Sequence, residues 1–158
     1  MPSPEHAADL ERVLSRAVQE CDSKHGVWFG GGLPQAVRGA LEGLGSTVDQ
    51  EPAELAFIEV STVSPQGRAS TDAEPSALGC PVVGLSTCTL EDLGSLLGPE
   101  SKTEIQITRL ICPVAVFDFT SDGIRVREVR HGLTAADLQE RLAVTLWAGP
   151  DLKELGTH

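Results

Sequence analysis

The residues best placed to do chemistry are three consecutive glycines, Gly30-Gly31-Gly32, followed by Leu33-Pro34. Glycine lets the main chain approach a ligand closely, and a proline just behind it suits the first turn of a helix. Free N–H groups at a helix start favour negative charge. Gly30, Gly31, Gly32 and Pro34 are therefore candidates to hold a phosphate, or the oxyanion that develops when a thioester carbonyl is attacked. A plain tight strand-to-helix turn would use the same residues. The pattern departs from both common phosphate loops: position 35 is Gln, the next glycine is Gly39, and no Gly-Lys-Ser/Thr occurs. Other reactive side chains are sparse. Cys21, Cys80, Cys88 and Cys112 contain no Cys-x-x-Cys pair, and the four histidines are scattered. Neither set has zinc-ligand spacing, so no metal is expected, and the thiols are expected to be packing residues in a reducing compartment.

The elements that must position the glycines can be read on either side of them. Ser3-Pro4-Glu5 is a helix start, and Leu10, Val13, Leu14, Ala17, Val18 and Cys21 recur at intervals of three and four. The spacing predicts an amphipathic helix, then a short buried strand at Val27-Trp28-Phe29 that feeds the loop. A second helix is expected from Pro34, with Ala36, Val37, Ala40, Leu41 and Leu44 on its apolar face and Gly45 at its end. Leu55 to Val60 reads as a buried strand, Ser64 to Gly67 as a turn, and Arg68 to Gly79 as a polar loop. Pro81 to Ser86 reads as another strand, and Thr89 with Asp92 opens a short helix carrying Leu93, Leu96 and Leu97. Ile105 and Ile107 alternate within Thr103 to Thr108, the pattern of a half-exposed strand. Val114 to Phe119 and Ile124 to Arg130, joined through Ser121-Asp122-Gly123, form a hairpin. Thr134 and Asp137 cap a last helix containing Leu138 and Leu142, and Val144 to Trp147 is a final short strand. Alternating helices and buried strands with one hairpin imply an α/β fold, a single domain with a mixed, largely parallel sheet flanked by helices.

Composition restricts the function classes. Apolar residues are 41% and charged residues 22% of the 158, the balance of a folded globular chain rather than a disordered one. The formal charge of −11 repels phosphate backbones and anionic membranes, so neither nucleic acid nor membrane is expected as a partner. The longest apolar stretches, Val82 to Leu85 and Val114 to Phe119, are too short to span a bilayer. Residues 1 to 5 carry no basic-then-apolar leader, and a cytoplasmic protein is expected.

Three segments in order share a family pattern. Phe29-Gly30-Gly31-Gly32-Leu33-Pro34-Gln35-Ala36-Val37 is similar to the Gly-x-Gly-x-Pro segment of β subunits in the family I CoA-transferases, the 3-oxoacid and glutaconate group. Glu54-Leu55-Ala56-Phe57-Ile58 through Val63-Ser64-Pro65-Gln66-Gly67 resembles that family's Asp-Leu-Ala and Val-Ser-x-x-Gly segments. Val114-Ala115-Val116-Phe117-Asp118, the hairpin, Gly132-Leu133-Thr134 and Asp151-Leu152-Lys153 resemble its C-terminal run. The departure is in the middle. The family carries Ser-Glu-Asn-Gly and a long stretch before the Asp-Leu-Ala strand, whereas here residues 46–54 run almost directly into Leu55, as after an internal deletion.

In that family the missing glutamate is a nucleophile that attacks the thioester, so the resemblance raises the question of which carboxylate remains. Glu51 lies near the family position, although Pro52 replaces the asparagine. Glu59 lies at the end of the Leu55 to Val60 strand, where a strand end borders a crevice and a desolvated carboxylate would suit acid–base work. For Glu51 the plain reading is a solvated loop acid, and for Glu59 an ion-paired rim residue. The resemblance implies a β-type subunit acting on acyl-CoA thioesters with an α-type CoA-transferase subunit, with transfer, decarboxylase, lyase or hydrolase chemistry open. It implies coenzyme A thioester as substrate and no tightly bound cofactor. A non-catalytic structural or regulatory partner of an α-type subunit is the alternative.

Overall fold

The computed structural model describes residues 4–21, 26–30, 32–43, 54–64, 67–70, 80–87, 89, 92–96, 105–120, 123–130, 132–142 and 145–155. Helix α1 spans Pro4–Glu20, β1 Val27–Phe29, α2 Leu33–Gly43 and β2 Leu55–Glu59. Then come β3 at Thr62–Val63, β4 at Arg68–Ser70, β5 at Val82–Leu85, α3 at Leu93–Leu96, β6 at Ile105–Gln106 and β7 at Arg109–Ile111. The chain closes with β8 at Ala115–Thr120, β9 at Gly123–Arg130, α4 at Ala135–Glu140 and β10 at Leu146–Leu155.

The main sheet has seven strands in the order β1-β2-β5-β7-β8-β9-β10. β1/β2, β2/β5, β5/β7 and β9/β10 are parallel, whereas β7/β8 and β8/β9 are antiparallel. This is the mixed, largely parallel α/β sheet expected from the sequence. Leu55 to Ile58 are buried without alternation because both faces of the sheet are covered. Leu55 and Phe57 join Val83, Leu85, Ile111 and Val116 under α1 (Val13, Ala17), the Cys21 that follows it, and α2 (Val37, Leu41). Ala56 and Ile58 face the other way, with Leu110, Phe117, Ile124 and Val126, against α3 (Leu93, Leu96) and Leu138 of α4. The capping box of α4 is present: the Asp137 N–H donates to Thr134 Oγ1 at 3.2 Å, and the Thr134 N–H to Asp137 Oδ2 at 2.8 Å.

Three expectations need correction. Arg68 to Ser70 is not loop but β4, the centre of a small antiparallel sheet β3-β4-β6. Its turn is drawn tight by the Gly67 N–H, which donates to the Ser64 carbonyl at 2.9 Å. The single strand expected over Thr103 to Thr108 is instead the two-residue β6. The chain then crosses at Ile107–Thr108 into β7, whose Leu110 and Ile111 are fully buried. A three-residue strand buried on both faces has no alternation to betray it. The last strand is longer than Val144 to Trp147. β10 continues through Pro150, which is tolerated because β10 is an edge strand with a register irregularity between Ala148 and Lys153.

Candidate functional site

The glycine loop sits where β1 ends and α2 begins, at the carboxyl end of the parallel strands. Phe29 is fixed before it: its ring stacks on Phe57 with centroids 5.9 Å apart and 19° between planes, and the two residues are partners in the β1/β2 ladder. The Gly30 N–H extends that ladder by donating to the Phe57 carbonyl at 3.0 Å. Gly32 turns the chain into the helix with φ +83°, a left-handed conformation open to glycine at little cost. Pro34, Val37 and Leu41 bury one face of α2.

Glu59 and the loop meet. Phe29 pairs with Phe57, and Glu59 lies two residues farther along β2, about 6–7 Å on, level with the loop. The Leu33 N–H donates to Glu59 Oε1 at 3.3 Å. A Cβ on Gly32 would stand 2.9 Å from Glu59 Oε2 and 3.1 Å from Cδ, so the carboxylate uses space that only glycine leaves. The first turn of α2 holds no acid of its own, and Glu59 supplies negative charge there from the neighbouring strand. That placement is favourable by roughly 0.3–1 kcal/mol at an exposed helix end. The expectation of a desolvated Glu59 is not met: the residue is exposed, because it ends β2 at the rim of the sheet. Gly31 and Glu51 lie outside the described residues, as does Cys88.

Gln35 was not singled out by sequence. Its backbone N–H donates to the Gly32 carbonyl at 3.0 Å, and its side-chain amide donates to the carbonyls of Gly30 at 3.0 Å and Phe29 at 3.3 Å. The signal that would have found it is the glutamine at the third position of a helix, which commonly reaches back past the helix start.

A second polar region, also unforeseen, lies between α1 and the sheet. Glu128, Arg16, Glu20, Arg109, Asp118 and Arg127 form an alternating chain of charges joining α1 to β7, β8 and β9. Arg16 Nη2 lies 2.7 Å from Glu128 Oε2 and Nη1 3.1 Å from Glu20 Oε2. Arg109 Nη1 lies 2.6 Å from Glu20 Oε1, and its Nε and Nη2 reach the two Asp118 oxygens at 2.6 and 3.1 Å. Arg127 Nε completes the chain 3.3 Å from Asp118 Oδ2. The hydrogen bond to Asp118 holds the Arg109 guanidinium firmly charged, over the opposing effect of burial, with further support from the charge of Glu20. For Arg16 burial is the largest single influence and works against the charge, but Glu128 and Glu20 together outweigh it. Beside this chain is a cleft of about 450 Å³ bordered by Glu20, Glu54, Pro81, Thr108, Arg109 and Asp118. It opens at the amino ends of β2, β5 and β7, away from the glycine loop.

Of the described cysteines, Cys21 and Cys112 are buried and Cys80 is partly buried. Burial, aided by the charge of Glu20, pushes the Cys21 thiol up to about 11. No helix among the described residues is long and apolar enough to cross a membrane.

Solved structures share this architecture across nearly the whole chain. The decarboxylase AibA/AibB matches with a TM-score of 0.66 at 13% identity, over 94% of this chain and 89% of that one. The acyl-CoA transferase YdiF of Escherichia coli O157:H7 matches with a TM-score of 0.64 at 15% identity, over 92% of this chain but 43% of that one. The chain has a CoA-transferase-like fold. Rhodococcus jostii RHA1 IpdAB matches the same CoA-transferase-like fold with a TM-score of 0.62 at 11% identity, over 94% of this chain and 88% of that one. No protein-family model and no curated protein matches the sequence.

Proposed function

We propose that this chain is the β-type subunit of a heteromeric, cytoplasmic CoA-transferase-like enzyme acting on acyl-CoA thioesters. In this reading residues 1–158 form one domain shortened near 46–54, coenzyme A thioester is the substrate, and Glu59 is its reacting carboxylate. The observation that carries the reading is the contact of the Glu59 carboxylate with Gly32 and the Leu33 N–H at the carboxyl end of the parallel strands. A thioester carbonyl placed over Gly32 would have a carboxylate on one side and helix-start amides on the other. If Glu59 attacks, a C–O bond forms to the acyl carbon, the C–S bond breaks, and CoA leaves as its thiolate, giving an acyl anhydride. If Glu59 acts as base, a water attacks instead and the products are the free acid and CoA. The fold shared with the acyl-CoA transferase YdiF supports thioester chemistry. The length of the YdiF chain, of which 43% is matched, leaves room there for a second unit of similar size and supports an α-type partner here.

A specific observation favours the non-catalytic alternative, a subunit that completes or stabilises its partner. The Gly30 N–H donates to Phe57 and the Leu33 N–H to Glu59, so two loop amides are already engaged within the chain. Co-purification with an α-type subunit and incubation with a panel of acyl-CoAs separates the readings. Release of thiol, acyl exchange or carbon dioxide is expected, with a fall of at least about 1,000-fold in Glu59→Gln. Glu51→Gln runs in parallel as the second carboxylate. If no product forms and no CoA compound shifts the melting temperature, the enzyme reading fails and the structural one stands.

A further inference from the structure

Gln35 gathers three carbonyls of one short loop. Its main-chain N–H takes Gly32, and its side-chain amide takes Gly30 and Phe29. Facing two carbonyl acceptors, the side chain must present its NH2 group, which settles the amide orientation by chemistry. The Phe29–Gly30 peptide is thereby held at both ends. Its N–H is bound to the Phe57 carbonyl on β2 and its C=O, pointing the opposite way in a trans peptide, is bound to Gln35. The same residue closes the first turn of α2 on Gly32, the glycine whose left-handed φ directs the chain past the Glu59 carboxylate.

The geometry points to Gln35 as the positioning residue of the glycine loop: it draws the loop carbonyls to one side so that they do not compete with Glu59 for the Leu33 amide or repel a substrate oxyanion. This rests on the thioester reading for its functional consequence, while the clamp itself can be tested without any substrate. A carbonyl turned toward a developing oxyanion would set two negative oxygens against each other and cancel the effect of the nearby amides. Both side-chain hydrogen bonds of Gln35 go to main-chain carbonyls, so its action is through the backbone.

The test compares Gln35→Met, of similar length with no donor, with Gln35→Lys, which restores a donor that reaches two carbonyls. Gln35→Glu is a third variant that introduces an acid into the first turn of α2, favourable for folding, but cannot donate. Amide hydrogen exchange of the full chain is expected to rise at Gly30 by about fivefold for each lost bond in the Met and Glu variants. Lys is expected to restore protection. In the complex with its partner subunit, kcat should fall about tenfold in Met and Glu with KM unchanged, and recover in Lys. Unchanged exchange at Gly30, or equal loss in Met and Lys, overturns the clamp. A loosened loop with full kcat, in an enzyme that Glu59→Gln abolishes, overturns the positioning role and leaves the thioester reading intact. Should Glu59→Gln retain full turnover while the exchange pattern is as expected, the thioester reading falls and the clamp survives.

Discussion

Replacing Arg109 by methionine removes the central link of the charge chain while keeping most of the side chain's length. Arg109 makes three short contacts, to Glu20 at 2.6 Å and to both Asp118 oxygens at 2.6 and 3.1 Å. Its side chain is 24% exposed, against 18% for Asp118 and 16% for Glu20. Breaking a fully buried pair costs about 3–5 kcal/mol, whereas an exposed pair is worth roughly 0–1 kcal/mol. These groups lie between the two limits. Each acid also keeps a second arginine, Arg16 at 3.1 Å for Glu20 and Arg127 at 3.3 Å for Asp118. A loss of about 2–3 kcal/mol follows, or ~5–10 °C in Tm for a chain of this length. Because the guanidinium is held charged more firmly in the fold, its contribution is constant across neutral and mildly alkaline pH and fades on the alkaline side only at extreme pH. The deficit should therefore be similar at pH 6 and pH 9. Calorimetric melts measure it, and amide exchange in the second half of α1 should rise with it. Adding Asp118→Leu should recover part of the loss, since much of the cost is the stranded carboxylate. A fall below about 1 °C would refute the reasoning, placing these contacts among surface pairs of no consequence.

Two further outcomes are expected. Gly32→Ala forces a left-handed φ of +83° on a residue with a Cβ and sets that carbon 2.9 Å from Glu59 Oε2. It should lower Tm by ~2–8 °C from strain of about 1–2 kcal/mol, and lower thiol release from acyl-CoA far more, because Glu59 must leave the loop. Tm loss with unchanged turnover would detach the loop from the chemistry. For Cys21, the thiol raised from 9.0 to about 11 contributes stability that is complete below pH 9 and is lost as pH rises toward 11. Urea titrations between pH 8 and pH 10.5 should show Cys21→Ala flattening this decline, by up to roughly 2–3 kcal/mol across the full window. Identical slopes in the two proteins would contradict it.

Much of this fold was legible because both faces of its sheet are covered in ways that leave marks. The three-and-four spacing of Leu10, Val13, Ala17 and Cys21 marked α1, and the unbroken Leu55 to Ile58 run marked a strand buried on both sides. What was hidden depended on neighbours distant in sequence. β7 is three residues with no alternation, and it is held by β5 and β8 rather than by local pattern. The extension of β10 across Pro150 reads as a chain break until β9 lies beside it. Arg16 and Glu20 occupy the polar face of α1, where periodicity implies water, but β7 to β9 offer them Arg109 and Glu128 instead.

The candidate site was legible in its parts and not in its assembly. The glycines and Glu59 were each recognisable, but 26 residues separate Leu33 from Glu59, and only the pairing of β1 with β2 brings them together. Exposure of Glu59 followed from its place as the last residue of β2, which a strand pattern bounded only to within a residue at Val60 could not settle. Gln35 was hidden for a different reason: its partners are main-chain carbonyls, which no sequence displays.

The most direct measurement is a crystal structure of the chain with its partner subunit and an unreactive thioether analogue of an acyl-CoA. The analogue's carbonyl oxygen is expected within hydrogen-bonding reach of the Gly32 and Leu33 amides, with the Glu59 carboxylate turned from Leu33 toward the acyl carbon. An analogue seated in the cleft beside Glu20 and Arg109, with Glu59 still bound to Leu33, would contradict the account.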